Sequence, residues 1–380
     1  MFKNLIYIIT SLLFTFQASH GQPKEFIYAG TFSGDAEQGI FVYLFNRSKV
    51  TLTHVQTLGG MVSPTYLELH PSGKFLYSVN RNPVNEEDTW GSVSAYSIDR
   101  SSGRLTHIND QPSYGNAPCH MSMDSRGRIL FIANYGSGSI AAYPILDDGS
   151  LGKASKVVQH TGSSVGGERQ QGPHAHCAVV SPDDRYLYAA DLGTDRVKAY
   201  RINYYDKLME PIPESDGIAE PGTGPRHMAI RADQKFAYVL EEMGAQVEVF
   251  TIDPESGALS SIQAISTLPG DYQETNFCAD IHIDPSGKYL YASNRGHNSL
   301  AIYDISQETG TLSLVDIQSV HGDWPRNFLI DPGGYFIFVA NRKSNNLVIF
   351  RRDYASGKIT YSGVEVSLPE PVCVKMLEID

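Results

Sequence analysis

The sequence predicts an all-β chain folded as a seven-bladed β-propeller, and three observations carry that reading. One strand-turn-strand phrase recurs six times, first as PTYLELHPSGKFLYSVNR (Pro64 to Arg81) and last as PRNFLIDPGGYFIFVANR (from Pro325), at intervals of roughly 47 to 57 residues. A seventh copy is split between the two ends of the chain. No stretch beyond residue 21 shows sustained helical periodicity. A period of this size marks a repeat architecture, and four short strands per repeat, stacked radially, make a propeller blade.

Taken in order, residues 1–21 read as a secretory signal. Lys3 gives a basic start, Leu5 to Phe16 is mostly apolar but short for a bilayer, and Ser19-His20-Gly21 puts small residues at −3 and −1 before Gln22. Residues 22–380 are then expected to form one exported domain, soluble once the signal is removed. Phe26 to Thr31 and Gly39 to Tyr43 match the second and third strands of the repeat, with no first strand before them. The missing strand stands at Pro371 to Leu377. The N- and C-terminal strands therefore share one blade and close the ring, which removes the open edges of a linear array.

In the first whole repeat, Tyr66-Leu67-Glu68-Leu69-His70 alternates apolar and polar residues and ends in a Pro-Ser-Gly turn. Lys74 to Val79 is a second strand ending at Asn80, Ser92 to Ile98 a third, and a Ser-Ser-Gly turn leads to a short fourth strand near Leu105. Further copies start at Pro118, Ala175, Pro225, Cys278 and Pro325.

The formal net charge of −12 argues against nucleic acid or an anionic membrane as partner, since both need a positive footprint. A small-molecule substrate and a monomer are expected. The four cysteines, Cys119, Cys177, Cys278 and Cys373, fall on the first strands of four different blades. An even count in an exported chain permits disulfides, but inner strands of separate blades lie far apart for a bridge, which favours buried free thiols.

A propeller has a polarity that selects candidate site residues. The start of strand one and the end of strand two lie on the same rim of every blade, so residues there converge on one mouth of the central channel. Strand-one starts carry His174 and His176 (PHAH), Arg226 and His227 (GPRH), and Arg326 with Asn327 (PRN). Strand-two ends carry Asn80-Arg81, Asn134-Tyr135, Asp191, Glu241-Glu242, Asn294-Arg295 and Asn341-Arg342. Asn and Asp also cap tight turns, so Asn80, Asn134, Asn294 and Asn341 stay open between the two roles. Turns have no need of Arg226, His227 or Glu242.

Such a mouth suits an anionic or oxyanion-forming substrate, because guanidinium groups offer forked donors and a nearby carboxylate or imidazole can take a proton from water. His174 and His176 share a strand face, which permits a metal, but no third ligand stands at a fixed spacing. Neither metal nor cofactor is expected. There is no phosphate loop or dinucleotide fingerprint.

Over the whole chain beyond the signal, the sequence resembles the seven-bladed propeller lactonases, a family of 6-phosphogluconolactonase and 3-carboxy-cis,cis-muconate lactonizing enzyme type. The specific stretches are GSSVGGERQQGPHAH (Gly162 to His176), SPDDRYLYAADLGTDRV (Ser181 to Val197) and GTGPRHMAI (Gly222 to Ile230). The resemblance implies catalytic roles for His176 (or His174), Arg226, Glu242 and Arg295; from the rim polarity, His174, His227, Asn134, Asp191 and Arg326 are expected as substrate-binding neighbours. Two departures stand out. Family members commonly read Asn-Glu where this chain has Glu241-Glu242, and often Asn-Glu where it has Asn80-Arg81. The extra carboxylate either turns aside or raises the pKa of its neighbour by repulsion.

The expected activity is hydrolysis of a sugar-lactone ring ester, with arginines holding the carbonyl and Glu242 or His176 activating water. Two rivals are a carboxymuconate-type lactonizing cyclase and a non-catalytic exported propeller that binds a glycan or protein. The last predicts an aromatic, apolar surface in place of a basic mouth.

Overall fold

The structure, a computed structural model, describes residues 23–84, 89–206 and 208–379. The proposed signal at 1–21 lies outside them. The described residues form seven antiparallel sheets, each of four strands in chain order apart from two exceptions taken up below. In the first blade these are Tyr66–Leu69, Phe75–Asn80, Ser92–Ile98 and Leu105–Pro112. Inner strands of successive blades pack on one another, and the last, Pro371–Ile379, packs on the first, so the ring is closed.

Closure happens as the split repeat predicts. Pro371–Ile379 pairs antiparallel with Lys24–Thr31, followed outward by Ile40–Asn46 and Thr51–Leu58. Three strands of this blade come from one end of the chain and one from the other.

The core lies between blades and follows from strand alternation. In Lys24–Thr31, Phe26 and Tyr28 face the first blade, while Ile27 and Ala29 face Phe336, Phe338 and Ala340 of the sixth. Each fully buried aromatic of this kind contributes about 2 kcal/mol of transfer free energy. A polar lock adds to it. The second-strand tyrosines Tyr28, Tyr77, Tyr188, Tyr238 and Tyr291 donate to the carbonyls of Gly103, Gly149, Gly257, Gly310 and Gly357 in the outer turn of the next blade, at 2.5–3.0 Å. Those turns need glycine twice over. Gly310, for example, sits at φ +71°, and a Cβ there would run into the ring of Phe236.

The third blade departs from the pattern. Its inner strand is reduced to Val179–Val180 and an isolated bridge from Ala175 to Asp191, and the two-residue strand Gly217–Ile218 adds a fifth member to its sheet. The insertion before PHAH folds into the short 3-10 turn Gly167–Gln170. All four cysteines are buried and free, as expected.

Candidate active site

The inner strands do not enter the sheet smoothly. The register slips between Pro118 and His120, between Pro225 and His227, and between Pro325 and Asn327. The residue skipped in each case is a β-bulge, which re-aims its side chain. The skipped residues are Cys119, Arg226 and Arg326, and His176 occupies the equivalent place after the Ala175 bridge. All four turn toward one end of the central channel. Residues at or just past the ends of the second strands meet them there: Arg81, Tyr135, Glu242 and Arg295. With Phe32 and Arg169 these groups, Arg226 excepted, line a cavity of about 210 Å³.

Glu242 is the hub. Its Oε1 accepts from Nη2 of Arg169 at 2.6 Å, and its Oε2 accepts from Nε of Arg226 at 2.8 Å and lies 2.9 Å from Nη2 of Arg295. Arg226 sits just beneath, about 1% exposed, with a second donor on the carbonyl of Ala279. Arg295 also donates to the carbonyls of Phe277 and Cys278, at 3.1 and 2.7 Å. Burial alone would push the Glu242 carboxyl up, but Arg295, Arg226 and Arg169 together outweigh it and hold the group well below the usual carboxylate range. Burial lowers Arg295 to about 10, against the pull of Glu242, and leaves it cationic at neutral pH.

Two further guanidiniums are not neutralised. Arg326 and Arg81 have no carboxylate within salt-bridge distance among the described residues; they flank the ring of Phe32, 5.7 and 4.5 Å from its centroid. Burial, with Arg226 and Arg295 nearby, holds Arg326 well below its usual value. In a protein of net charge −12, this mouth is strongly positive.

His176 faces the same cavity. Its Nε2 is 3.9 Å from Oε2 of Glu242 and its Nδ1 3.7 Å from Sγ of Cys119. Burial, then Arg226 and His227, keep its imidazole well below 6.5, so the ring is neutral at pH 7 and able to accept a proton. Burial pushes the Cys119 thiol up to about 11, which makes it a poor nucleophile.

The structure thus brings His176, Arg226, Glu242, Arg295 and Arg326 together. It does not bring the other expected contacts to the cavity. Asn134 is fully buried and donates to Ser113 O and Ser139 Oγ; Asp191 is fully buried and accepts from the amides of His174 and Gly193, with its other oxygen 2.5 Å from Nδ1 of His160. Both brace loops. Asn80 and Asn294 do the same through Ser94 and the Thr267 carbonyl, which resolves the open choice in favour of turn bracing. His174 stacks on Tyr135, ring centroids 4.5 Å apart, with Nδ1 toward the Tyr135 carbonyl. His227 lies one level deeper, paired with Asp280. Glu241 turns aside to Thr223 and does not raise its neighbour; burial and Glu248 raise Glu241 itself.

Arg169 is the residue that sequence reasoning missed most clearly. It lies in the GGERQQG insertion, outside the repeat, so the rim rule does not reach it. Among the described residues no group of three or more His, Cys, Asp or Glu side chains is placed to hold a metal.

Comparison with known proteins agrees with this architecture. Residues 26–376 match the family model described as "Lactonase, 7-bladed beta-propeller". The chain is 35% identical to the 6-phosphogluconolactonase of Bacillus subtilis over 352 residues, covering 92% of this chain and 97% of that one. Among solved structures, a putative 6-phosphogluconolactonase from Bacteroides fragilis superposes with a TM-score of 0.85 at 35% identity, over 93% of this chain and 98% of that one. A periplasmic gluconolactonase from Pseudomonas aeruginosa gives a TM-score of 0.88 at 32% identity, over 94% of this chain and all of the other.

Proposed function

This chain belongs to the seven-bladed β-propeller lactonase family, and from that premise we propose that it hydrolyses the ring ester of an anionic sugar lactone of the 6-phosphogluconolactone type, without a metal. The observation that carries the proposal is the mismatch at the mouth: one carboxylate, Glu242, against Arg81, Arg169, Arg226, Arg295 and Arg326.

The division of labour follows from protonation. Glu242 holds three guanidiniums and is too weak a base to take a proton from water. Its part is to fix Arg295 and Arg226. His176, neutral and in the cavity, is the general base. Water gives its proton to His176 as its oxygen attacks the carbonyl. The tetrahedral oxyanion is held by Arg295, in the manner of an oxyanion hole. As the ring C–O bond breaks, the His176 imidazolium returns the proton to the leaving oxygen. Arg81 and Arg326 bind the substrate's own anionic group, and Phe32 between them keeps water off that side.

The proposal further includes export, supported by the signal-like residues 1–21 and by the periplasmic relative. A guanidinium-lined mouth also fits a reacting ester better than the apolar surface expected of a passive binding propeller. The test is hydrolysis of 6-phosphogluconolactone and of plain gluconolactone by the purified chain, with a chelator control. Turnover that persists with chelator and favours the phosphorylated lactone supports the reading. No hydrolysis of either lactone overturns it.

A further inference from the structure

The fourth and sixth blades carry the same backbone at the mouth but different charges. In the fourth, Pro225 pairs with Glu241, and the amide of Glu242 donates to the Gly224 carbonyl at 2.7 Å. In the sixth, Pro325 pairs with Asn341, and the amide of Arg342 donates to the Trp324 carbonyl at 3.0 Å. In both blades the bulged residue therefore stands beside the residue that follows the second strand. In the fourth blade these two are Arg226 and Glu242, which bond directly. In the sixth they are Arg326 and Arg342, like charges that repel. An anion between them would take the place that Glu242 holds in the fourth.

Arg342 is loosely held. Its Nη2 lies 3.5 Å from Oε2 of Glu370, with the two side chains 27% and 41% exposed, and an ion pair so exposed contributes little. Its Nε is buried and has no hydrogen-bond partner among the described residues. The guanidinium carbon lies 4.1 Å from the centroid of Phe32, and a guanidinium stacked on a ring keeps its in-plane donors available. On either side of Arg342 around the ring, Arg295 of the fifth blade and Phe32 of the shared blade line the cavity, whereas Arg342 does not. Burial lowers Arg81, and Arg342 adds to the lowering, so these two guanidiniums repel beside Phe32.

We infer that Arg342 sets the substrate's charge class: it exchanges Glu370 for the substrate's phosphate and, with Arg81 and Arg326, makes a three-guanidinium dock for a phosphate monoester. The inference rests on the lactonase reading for the molecule that carries the phosphate.

The match is one of charge and acceptor number. A phosphate monoester at neutral pH carries about two negative charges and three terminal oxygens, one for each guanidinium. A carboxylate carries one charge and two oxygens, which Arg81 and Arg326 satisfy by themselves. Arg342 therefore strengthens binding of a phosphorylated lactone and adds little for a lactone bearing a carboxylate. The exchange is favourable because the pair given up is weak and solvated. The bonds formed are charge-assisted, lie against Phe32 and relieve the repulsion among the arginines.

The test uses the whole chain. Arg342→Met is expected to lower, tenfold or more, the ratio of kcat/KM for 6-phosphogluconolactone over that for glucarolactone, which bears a carboxylate instead. The change should lie in KM. Glu370→Gln frees the arm and is expected to lower KM for the phosphorylated lactone. If the ion pair only held two loops together, both variants would lose in the same direction, and that result overturns the inference. An equal loss on both lactones in Arg342→Met overturns it as well. A second readout does not depend on turnover. Inorganic phosphate, followed by titration calorimetry, should bind Arg342→Met tenfold or more weakly than wild type, and Glu370→Gln more tightly. Unchanged phosphate affinity in Arg342→Met overturns the dock. The same opposed shifts in a protein that hydrolyses no lactone support the dock and overturn the lactonase reading.

Discussion

Nε of Arg226 and Oε2 of Glu242 lie 2.8 Å apart with both side chains at most 5% exposed, and Arg226 has no other carboxylate partner among the described residues, so its charge depends on Glu242 for its solvation. A buried pair of this kind contributes little net stability, but losing one partner strands the other. Glu242→Gln alone, which strands Arg226, is therefore expected to cost about 3–5 kcal/mol of unfolding free energy, and Arg226→Met less, because Arg169 and Arg295 still pair Glu242. The cost of the double variant should be well below the sum of the two. Urea unfolding of all four proteins measures the coupling, and additive losses would show that the pair is not a unit.

With His176 as the proposed general base, its protonation is expected to set the pH dependence of turnover. Its imidazole is held well below 6.5, so kcat/KM should already be on its plateau at pH 6.5 and fall only under more acid conditions. His176→Gln should lower kcat by about a hundredfold or more and abolish that acid limb. A wild-type profile with an inflection at 6.5 would contradict the assignment.

Arg326 and Arg81 are expected to select for charge on the substrate. Arg326→Met should raise KM for a phosphorylated lactone by about tenfold or more while changing the neutral lactone little. Inorganic phosphate, as a competitive inhibitor, should weaken in parallel. An equal loss on both lactones would move Arg326 from substrate binding to the reaction itself.

Acid should weaken the fold through imidazoles buried in their neutral form. His120, His176 and His227 all have folded values below 6.5, that of His227 at about 4, with burial the leading cause. Below 6.5 the unfolded chain binds protons that the folded chain does not, so stability is complete above that pH and lost as pH falls toward 4. The slope is about 1.4 kcal/mol per pH unit for each such histidine. Unfolding in urea at pH 7.5 and pH 5 reads it directly; equal stability at the two would contradict the burial of these rings.

The inter-blade lock offers a stability test remote from the site. Tyr238→Phe removes one hydrogen bond to the Gly310 carbonyl and should cost about 1 kcal/mol. Gly310→Ala should cost more, because it combines a left-handed backbone with a collision against Phe236. Thermal melts would rank the two, and the reverse order would mean that the turn can shift.

The repeat made the ring, the split blade and the choice of rim legible in the sequence, because period-two strands and Gly-Pro turns are local signals. It also brought forward Arg226, Glu242, His176 and Arg295, which no turn requires. It also pointed to Asn134 and Asp191, which the structure places away from the cavity for a definite reason. Near the end of these second strands stands a buried brace (Asn80, Asn134, Glu241 or Asn294), and the side chain that reaches the cavity is the next one: Arg81, Tyr135, Glu242 or Arg295. On the first strands a bulge shifts the phase by one residue, which separates Arg226, turned to Glu242 just beneath the mouth, from His227, turned to Asp280. Alternation alone does not reveal a bulge. Arg169 was hidden differently, since it reaches Glu242 from an insertion with no counterpart in the other blades.

The shared blade bears on where this chain can be cut and rejoined. Lys24 pairs with Ile379 in its sheet, so the two ends of the described domain are neighbours in space. A short linker joining them, with a new opening in an outer turn such as that around Ser102, should give a circular permutant with every blade intact. Removing Pro371–Ile379 is another matter. It takes away the partner of Lys24–Thr31, and with it Lys375 and its ion pair to Glu68. Order of synthesis is thus expected to be dispensable for this fold, and the complete complement of strands not.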